Sequence, residues 1–243
     1  MEIRKQKIKQ INYKELIKSS AAGSRDVINA VDLGLISYNK AYGLQTRIFE
    51  KIRLTGGLGP ILLLEHRPAI TIGNNKNLGN LLVTEEELTS QGIELVQSNR
   101  GGDITMHTPG QVVCYMILNL DVLGKDLSIF VYRVEEVIIE TLKKFGINSS
   151  RVKKHRGVFV DNCKIASVGL KVKKWITLHG FSLNVNNDLK YFDNIIPCGL
   201  KNYPQTSIKK ILEKPIPIES VKDKIIESFS DVFNTPVKKT GKS

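Results

Sequence analysis

The segment GVFVDNCKIASVGLKVKKWITLHGFSLNVN, residues 157–186, alternates apolar with polar residues along most of its length. This period of two predicts strands at 157–160, at 164–172 and at about 176–185. The connection Asp161-Asn162-Cys163 is short enough for a hairpin, so the first two strands are expected to pair antiparallel. The segment therefore predicts a sheet built at least in part from antiparallel strands.

Apolar residues recur at helical spacing in three other regions and predict long helices at 35–53, 127–145 and 219–233. A capping box of Thr84 and Glu87 predicts a short helix that ends near Gly92. Helices and strands do not alternate regularly, so the expected fold class is α+β, with a mixed, largely antiparallel sheet packed with helices. The remaining apolar runs predict strands at 61–64, 69–72, 93–97, 103–107 and 112–120.

The composition fits one domain with a basic segment at each end. Of the 243 residues, 41% are hydrophobic, which is enough for one sizeable core. Residues 1–26 are lysine-rich and end in small polar residues, as is typical of a flexible arm, and residues 236–243 form a basic tail. The domain itself is therefore expected at 27–235, and it is expected to act as a monomer.

Several features predict a soluble protein of a reducing compartment. No apolar run approaches the roughly 18 residues that span a membrane. The N-terminal stretch MEIRKQKIKQ has no apolar core of the kind that secretion signals contain. Cys114, Cys163 and Cys198 have no metal-ligand spacing and cannot all pair with one another. The expected location is the cytoplasm, with an organelle left open if the source is eukaryotic.

The formal charge of +12 predicts acidic partners, because such a field speeds association with a negative surface. Nucleic acid is a weak candidate, since the basic residues are dispersed and match no recognised reading motif. A basic binding module without catalytic activity nevertheless remains an alternative from the charge alone.

Two segments contain residues suited to catalysis. Alternation places Lys164 on the same face as Ala166 and Val168, and an ammonium removed from water gives up its proton more readily. Cys198 lies between Pro197 and Gly199, where a thiol has open space on one side, as a nucleophile requires. Each residue taken alone has a simpler interpretation, because Lys164 can extend to water and Cys198 can be a small buried apolar residue.

The four histidines do not form a metal site. His66, His107, His155 and His179 show neither the HxH nor the HExxH spacing of zinc ligands, so metal catalysis is not expected. The turn Asn99-Arg100-Gly101-Gly102-Asp103 offers backbone amides to a ligand, although two glycines after a strand usually mark only a turn.

Four blocks in order carry a resemblance to a known family: EHRPAITIG at 65–73, RGGDITMHTPGQVVCYMIL at 100–118, residues 157–186 and IIPCGL at 195–200. Together they resemble the octanoyltransferases of lipoate biosynthesis, from about residue 31 to the C-terminal helix. The resemblance implies a fold similar to the catalytic domain of biotin and lipoate protein ligases.

The resemblance also implies an activity. Cys198 would take an octanoyl group from octanoyl-acyl carrier protein, with Lys164 as its acid/base partner and without a cofactor. The acceptors would be lysines in lipoyl domains of 2-oxoacid dehydrogenase E2 subunits and in the glycine cleavage H protein. The residues implied at the substrate site are His66, Arg100, Gly101, Gly102, His107, Tyr115, Val168, Gly169, His179 and Gly180.

Two departures from the family pattern bear on the shape of the pocket. Met106 stands where an aromatic residue usually precedes the histidine, and Thr108 replaces the usual glycine of the HGPGQ block. Two related activities remain alternatives, an ATP-dependent lipoate or biotin ligase and an amidotransferase between lipoyl proteins. The RGGD turn is shorter than the loop expected for binding an adenylate.

Overall fold

The computed structural model describes residues 26–240. The strands are β1 (Ile28–Ile36), β2 (Pro60–His66), β3 (Ala69–Ile72), β4 (Glu94–Gln97), β5 (Ile104–His107), β6 (Gln111–Met116), β7 (Ser150–Val152), β8 (His155–Val160), β9 (Cys163–Lys173), β10 (Ile176–Asn184) and β11 (Val237–Thr240). The α-helices are α1 (Tyr38–Thr55), α2 (Glu85–Ser90), α3 (Leu127–Lys143), α4 (Ile208–Leu212) and α5 (Ile218–Phe233).

Most strands form one eight-stranded sheet in the order β11-β1-β2-β6-β10-β9-β8-β7. Strand β1 runs parallel to both of its neighbours. All the other neighbouring strands in this sheet pair antiparallel. A second sheet of three strands has the order β4-β3-β5. The expectation of a mixed, largely antiparallel sheet packed with helices is therefore confirmed.

The eight-stranded sheet is covered on both faces. Helices α3 and α5 pack on one face, where Phe130, Val134 and Phe229 join the largest apolar cluster. Helix α1 covers the other face with Ile48 and Ile52. Within residues 26–240, none of these helices has the length and apolar character needed to span a bilayer.

The region before α1 differs from the sequence-based expectation. The helix begins at Tyr38 rather than at residue 35, and Leu35 belongs to the unpredicted strand β1. Asp32 and Gly34 break the apolar pattern of that strand, because the Asp32 carboxylate accepts a hydrogen bond from Gly34 N–H at a bulge. The predicted arm, except for Asp26, lies outside the described residues.

The structure also differs from the sequence-based expectation at the end of one strand and in three unpredicted elements. The strand expected at 112–120 ends at Met116, since residues 117–120 leave the ladder although they stay buried. Strand β7 and helix α4 were not predicted. Part of the expected basic tail forms β11, whose backbone pairs with β1 while Lys238 and Lys239 remain exposed.

The 157–186 segment folds into consecutive hairpins. Strands β8 and β9 are joined by the two residues Asp161 and Asn162, which confirms the hairpin expectation. Strands β9 and β10 are joined by Lys174 and Trp175, both with positive φ angles of 51° and 58°. Two consecutive positive φ angles match the type I′ turn that suits strand twist.

A bulge at Ile165 corrects the expected alternation of β9. Phe159 pairs with Lys164 and its neighbour Val158 pairs with Ala166, so Ile165 has no partner in β8. Because Phe159 and Val158 point to opposite faces, Lys164 and Ala166 do so as well. Lys164 is therefore turned away from the face that alternation assigned to it.

One buried cation joins α5 to the parallel edge of the sheet. The Nζ atom of Lys222, a residue only 1% exposed, lies 2.8 and 2.9 Å from the Asp32 carboxylate oxygens. Glu219 accepts a third hydrogen bond at 3.0 Å. These contacts satisfy the ammonium within the protein and hold the helix against β1.

Replacing Lys222 with Met is expected to destabilise the fold, because the Asp32 carboxylate would then lose its cation while staying largely buried. Removing one partner of a buried pair costs about 3 kcal/mol. Denaturant unfolding measures the change. Lys224→Met is the matched control, since Lys224 on the same helix pairs only with Glu227 at the surface, and it is expected to change stability by less than about 0.5 kcal/mol. Equal losses in both variants would contradict a structural role for Lys222.

Candidate active site

Cys198 lies on a short turn that contacts β5 of the three-stranded sheet. The turn Pro197–Gly199 is one 3₁₀ turn, and Cys198 has φ 55° and ψ 20°. This left-handed conformation is uncommon for a residue with a side chain. Its thiol is partly exposed. The turn thus presents the sulfur at the surface of a cavity instead of packing it in the core.

The turn is anchored to the small-sheet region. Ile196 N–H donates to Asn80 C=O at 2.8 Å, and the Asn80 side chain donates to the Asp103 carboxylate. Asp103 also accepts from Asn77 N–H at 2.9 Å. These bonds fix the start of the turn and hold the carboxylate beside it.

Lys164 lies beneath the turn, with Nζ 3.5 Å from Cys198 Sγ. The residue is 1% exposed, and its ammonium lies 5.6 Å from the centroid of the Phe159 ring. Its backbone N–H donates to Pro204 C=O at 2.8 Å, and its C=O accepts from Thr206 N–H at 2.9 Å. The alternative in which Lys164 extends to water is therefore wrong.

Two cavities meet at Cys198. An outer cavity of about 690 Å³ contains both Lys164 and Cys198 in its wall, together with Val168, Leu170 and Val172. An inner cavity of about 40 Å³ is also lined by Cys198. Cys198 consequently borders both a wide opening and a much smaller space. The inner wall consists of Tyr38, Arg100, Gly101, Gly102, Thr105, His107, Val113, Tyr115, Ser167, Val168, Gly169, His179, Gly180, Phe181, Ser182 and Cys198.

His66 stands behind the inner wall and contacts it through Tyr115. Its Nδ1 atom lies 2.8 Å from Ile36 C=O, which only accepts, so Nδ1 carries the proton. Nε2 therefore accepts the Tyr115 O–H at 2.7 Å. Burial lowers the pKa of His66 to about 4 and raises the pKa of Tyr115 well above its usual value. Both groups are neutral near pH 7, and His66 does not itself line the cavity.

His107 and His179 form part of the inner wall and are also neutral. Burial lowers the pKa of each to about 3. His107 Nδ1 donates to Gln111 Oε1 at 2.8 Å, and His179 Nε2 donates to Asn99 Oδ1 at 2.7 Å. The Nδ1 atom of His179 is buried without a hydrogen-bond partner. This nitrogen is therefore an unused hydrogen-bond acceptor within the described part of the chain.

The turn at Arg100 is fixed by side-chain and backbone bonds. Arg100 donates to the hydroxyl and carbonyl of Thr71 at 3.0 and 2.6 Å and to Gly101 C=O at 3.0 Å. Burial lowers the pKa of Arg100, but a guanidinium keeps its proton at any physiological pH. Gly101 packs so closely on β9 that a Cβ atom there would lie 2.9 Å from Leu170 C=O.

Gly180 permits a similar close approach in the sheet. A Cβ atom on Gly180 would lie 1.9 Å from Cys114 C=O of the adjacent strand β6. Glycine is therefore required for β10 to pair with β6 at this point. Val168, Gly169 and Gly180 thus bring two strand backbones to the inner cavity, beside Cys198.

The N–H groups of Gly101 and Gly199 both donate within the protein. Gly101 N–H donates to Leu170 C=O at 2.8 Å, and Gly199 N–H donates to Ile196 C=O at 3.0 Å. In this conformation these two amides are therefore not available to a ligand.

The departures at positions 106 and 108 have little effect on the cavities. Met106 is buried in the apolar cluster of the three-stranded sheet. Thr108, two residues further along the chain, is also buried. Neither side chain lines the inner or the outer cavity. Sequence reasoning missed Tyr38, Asn80 and Asp103, which belong to a helix start, a 3₁₀ turn and a loop without a distinctive motif.

Comparison with known proteins identifies the family. A family model described as the lipoyl protein ligase A/B catalytic domain matches residues 37–230. The chain belongs to this family. The octanoyltransferase of Caldicellulosiruptor saccharolyticus is 42% identical over 209 residues, covering 85% of this chain and 88% of that protein. The octanoyltransferase of Nitratidesulfovibrio vulgaris is 39% identical over 214 residues, covering 88% and 98%. Within the lipoyl protein ligase A/B family, the chain groups with octanoyltransferases and is an acyltransferase.

Solved structures of the lipoyl protein ligase A/B family share the fold. A lipoate-protein ligase A bound with ATP aligns with a TM-score of 0.69 at 15% identity, covering 89% of this chain and 90% of that chain. A bi-partite lipoate protein ligase from Thermoplasma acidophilum aligns with a TM-score of 0.68 at 14% identity, covering 89% and 88%. The expected likeness to lipoate protein ligases is thus confirmed at the level of fold.

The three buried histidines make stability depend on pH. Each pKa lies below the unfolded value of about 6.5, so the unfolded chain binds more protons as pH falls. Stability is full above pH ~6.5 and falls toward pH ~4 by up to ~1.4 kcal/mol per pH unit for each histidine. His66→Gln removes one of the three histidines, so the free energy of unfolding is expected to fall less steeply as pH decreases. Denaturant unfolding across that pH range measures the difference. His155→Gln, at the partly exposed rim, is the control, and an equal slope in wild type and His66→Gln would contradict the assignment.

Proposed function

We propose that this acyltransferase moves an octanoyl group from octanoyl-acyl carrier protein to a lysine of lipoyl domains through a thioester on Cys198. The acceptors would be the lipoyl domains of 2-oxoacid dehydrogenase E2 subunits and the glycine cleavage H protein. Lys164 is the acid/base partner in both half-reactions. The observation that carries the proposal is the 3.5 Å contact between Lys164 Nζ and Cys198 Sγ where the two cavities meet.

In the first half-reaction, a neutral Lys164 amine accepts the proton of the Cys198 thiol, and the thiolate attacks the carbonyl carbon of the donor thioester. A new C–S bond forms to Cys198, and the bond to the donor sulfur breaks. The leaving thiolate takes the proton back from the Lys164 ammonium. The donor is an activated thioester, so no nucleotide is consumed.

In the second half-reaction, the neutral amine of the acceptor lysine attacks the Cys198 thioester. The C–N bond forms, the C–S bond breaks, and the proton lost by the amine passes through Lys164 to Cys198. An amide replaces a thioester, so the step is downhill. Lys164 as an ammonium lies next to the reacting carbonyl and offsets negative charge that develops there.

The two cavities suit the two parts of an acyl substrate. The outer cavity is wide enough for a carrier arm or an acceptor side chain to approach Cys198, and Lys154 and Arg156 form its exposed rim. The inner cavity has the neutral rings of His107 and His179 and the apolar side chains of Val113 and Phe181 in its wall, which favour the beginning of an apolar chain. A net charge of +12 favours association with acidic protein domains.

An unmodified Cys198 thiol is necessary for this mechanism, which supports a reducing compartment such as the cytoplasm. The chemistry requires only one copy of the chain, because the catalytic pair and both cavities come from a single chain.

The alternative within the family is an ATP-dependent ligase. A ligase would activate a free acid as an adenylate and would not require a thiol beside Lys164. The proximity of Cys198 and Lys164 therefore favours the transferase. An amidotransferase would use the same thiol and would differ only in taking the acyl group from a lysine amide.

Intact-protein mass spectrometry after mixing with octanoyl-acyl carrier protein, without nucleotide, tests the proposal. Wild type is expected to gain one octanoyl group and to lose it when a lipoyl domain is added. Cys198→Ser is expected to gain none. Cys163→Ser is the matched control, because Cys163 is another partly exposed thiol and lines neither cavity. Transfer only from free octanoate with ATP would establish a ligase, and acylation only by an octanoylated domain would establish an amidotransferase.

Lys164→Met is expected to slow the formation of the acyl-enzyme by roughly 10²–10⁴-fold, the usual contribution of a positioned acid/base group. Rapid-quench mass spectrometry measures the rate. Lys171→Met, on the same strand but outside both cavities, is the control. A near-normal rate in Lys164→Met would remove Lys164 from the mechanism.

A further inference from the structure

The outer cavity has an asymmetric distribution of charge. Its wall contains Lys154, Arg156 and Lys164, and His155 lies between the first two. Among residues 26–240, Asp103 is the single carboxylate that lines it. A cationic ligand that enters this opening is therefore repelled by Lys154 and Arg156 and attracted by Asp103, while Lys164 is neutral at the acyl-enzyme stage of the proposed reaction.

Asp103 is held beside the nucleophilic turn. Its Oδ1 atom accepts from Asn77 N–H and its Oδ2 atom from the Asn80 side-chain amide. A Cβ atom placed on Gly199, the residue after Cys198, would lie 3.9 Å from Oδ2. The carboxylate thus faces the turn from which any acyl group on Cys198 would project.

The Asp103 carboxylate has capacity for further hydrogen bonds. The two donors that orient it, from Asn77 and Asn80, are neutral amides. An ionised carboxylate has about four lone-pair sites, which leaves room for further donors. The side chain is partly exposed and borders the open cavity.

The acceptor of the proposed reaction carries a positive charge on its reacting group. The acceptor lysine is an ammonium near pH 7, because its ordinary pKa is about 10.4. It must approach Cys198 through the outer cavity, since the inner one is only about 40 Å³ in volume. An ammonium with three donors that enters this cavity finds complementary charge only at Asp103.

We infer that Asp103 is the docking group for the acceptor amine, binding the lysine ammonium beside the Cys198 thioester before it releases one proton to solvent and attacks as the neutral amine. The inference rests on the proposed acyl-enzyme mechanism and adds a residue that serves only its second half. Asn77 and Asn80 act as positioning residues, because they orient the carboxylate without touching the acceptor.

Two nucleophiles reacting with the same preformed acyl-enzyme test this inference. The enzyme is loaded on Cys198 with octanoyl-acyl carrier protein and separated from the donor. Its octanoyl group is then released either by a lipoyl domain or by hydroxylamine, which is uncharged at neutral pH and needs no anionic docking group. Mass spectrometry follows the loss of the adduct in both reactions.

In Asp103→Asn, release to the lipoyl domain is expected to be at least tenfold slower, while release to hydroxylamine stays within twofold of wild type. Asp103→Glu keeps the charge and is expected to restore preference for the lipoyl domain. Asn80→Ala keeps the carboxylate and loosens its support, so it is expected to slow release to the lipoyl domain more than release to hydroxylamine. Asp161→Asn, at the exposed tip of the β8–β9 hairpin, is expected to leave both rates unchanged.

The outcomes separate this inference from the proposed function. An acyl-enzyme that forms on Cys198 but releases to both nucleophiles at wild-type rates in Asp103→Asn would overturn the role of Asp103 alone. Equal slowing with both nucleophiles would also overturn it, because it would show that Asp103 acts on the geometry of the turn. Absence of any adduct on wild-type Cys198 would instead overturn the proposed function.

Discussion

The site depends on a backbone pairing rather than on a side-chain contact. Lys164 exchanges backbone hydrogen bonds with Pro204 and Thr206, while Ile196 bonds to Asn80 at the other end of the same segment. Backbone hydrogen bonds therefore hold residues 196–206 at both ends, to Asn80 at one end and to Lys164 of β9 at the other. Cys198 lies within this span and adopts a left-handed conformation that an unsupported residue would avoid. The pairing that holds the segment also carries the lysine, so one constraint sets the position of both groups.

A second structural feature is that the histidines in and behind the inner wall are neutral. The three buried histidines have lowered pKa values, and each has its proton located by a carbonyl or amide acceptor. Their bonds run to Ile36, Gln111 and Asn99. Arg100 stays charged in the same wall, and its guanidinium is held by hydrogen bonds to Thr71 and Gly101. The histidine rings therefore add no further charge to the space beside Cys198.

The sequence predicted those elements whose period was unbroken, and it failed where tertiary contacts replaced local pattern. Strands β8 to β10 and helices α3 and α5 followed from alternation or helical spacing. Strand β1 did not, because Asp32 is a buried partner of Lys222 from the far end of the chain. Strand β11 has the sequence of a charged tail, since its place in the sheet depends largely on backbone pairing with β1 along one edge.

The same distinction holds within the site. Cys198 and Lys164 could be selected from their local settings and from the resemblance, although the bulge at Ile165 meant that simple alternation gave the wrong face for Lys164. Asp103 could not be selected, because RGGD reads locally as a turn. Its position beside the Cys198 turn depends on Asn80 and Gly199, which are distant in sequence and adjacent in the fold.

A thioester intermediate explains why one opening can serve two substrates in turn. The carrier arm and the acceptor lysine must both reach Cys198 through the outer cavity, and storing the acyl group on Cys198 lets the donor leave before the acceptor enters. Among the described residues that line this cavity, Asp103 is the single carboxylate, and it can favour a cationic lysine once the donor has gone. A direct transfer would instead require both carriers in the same opening at one moment.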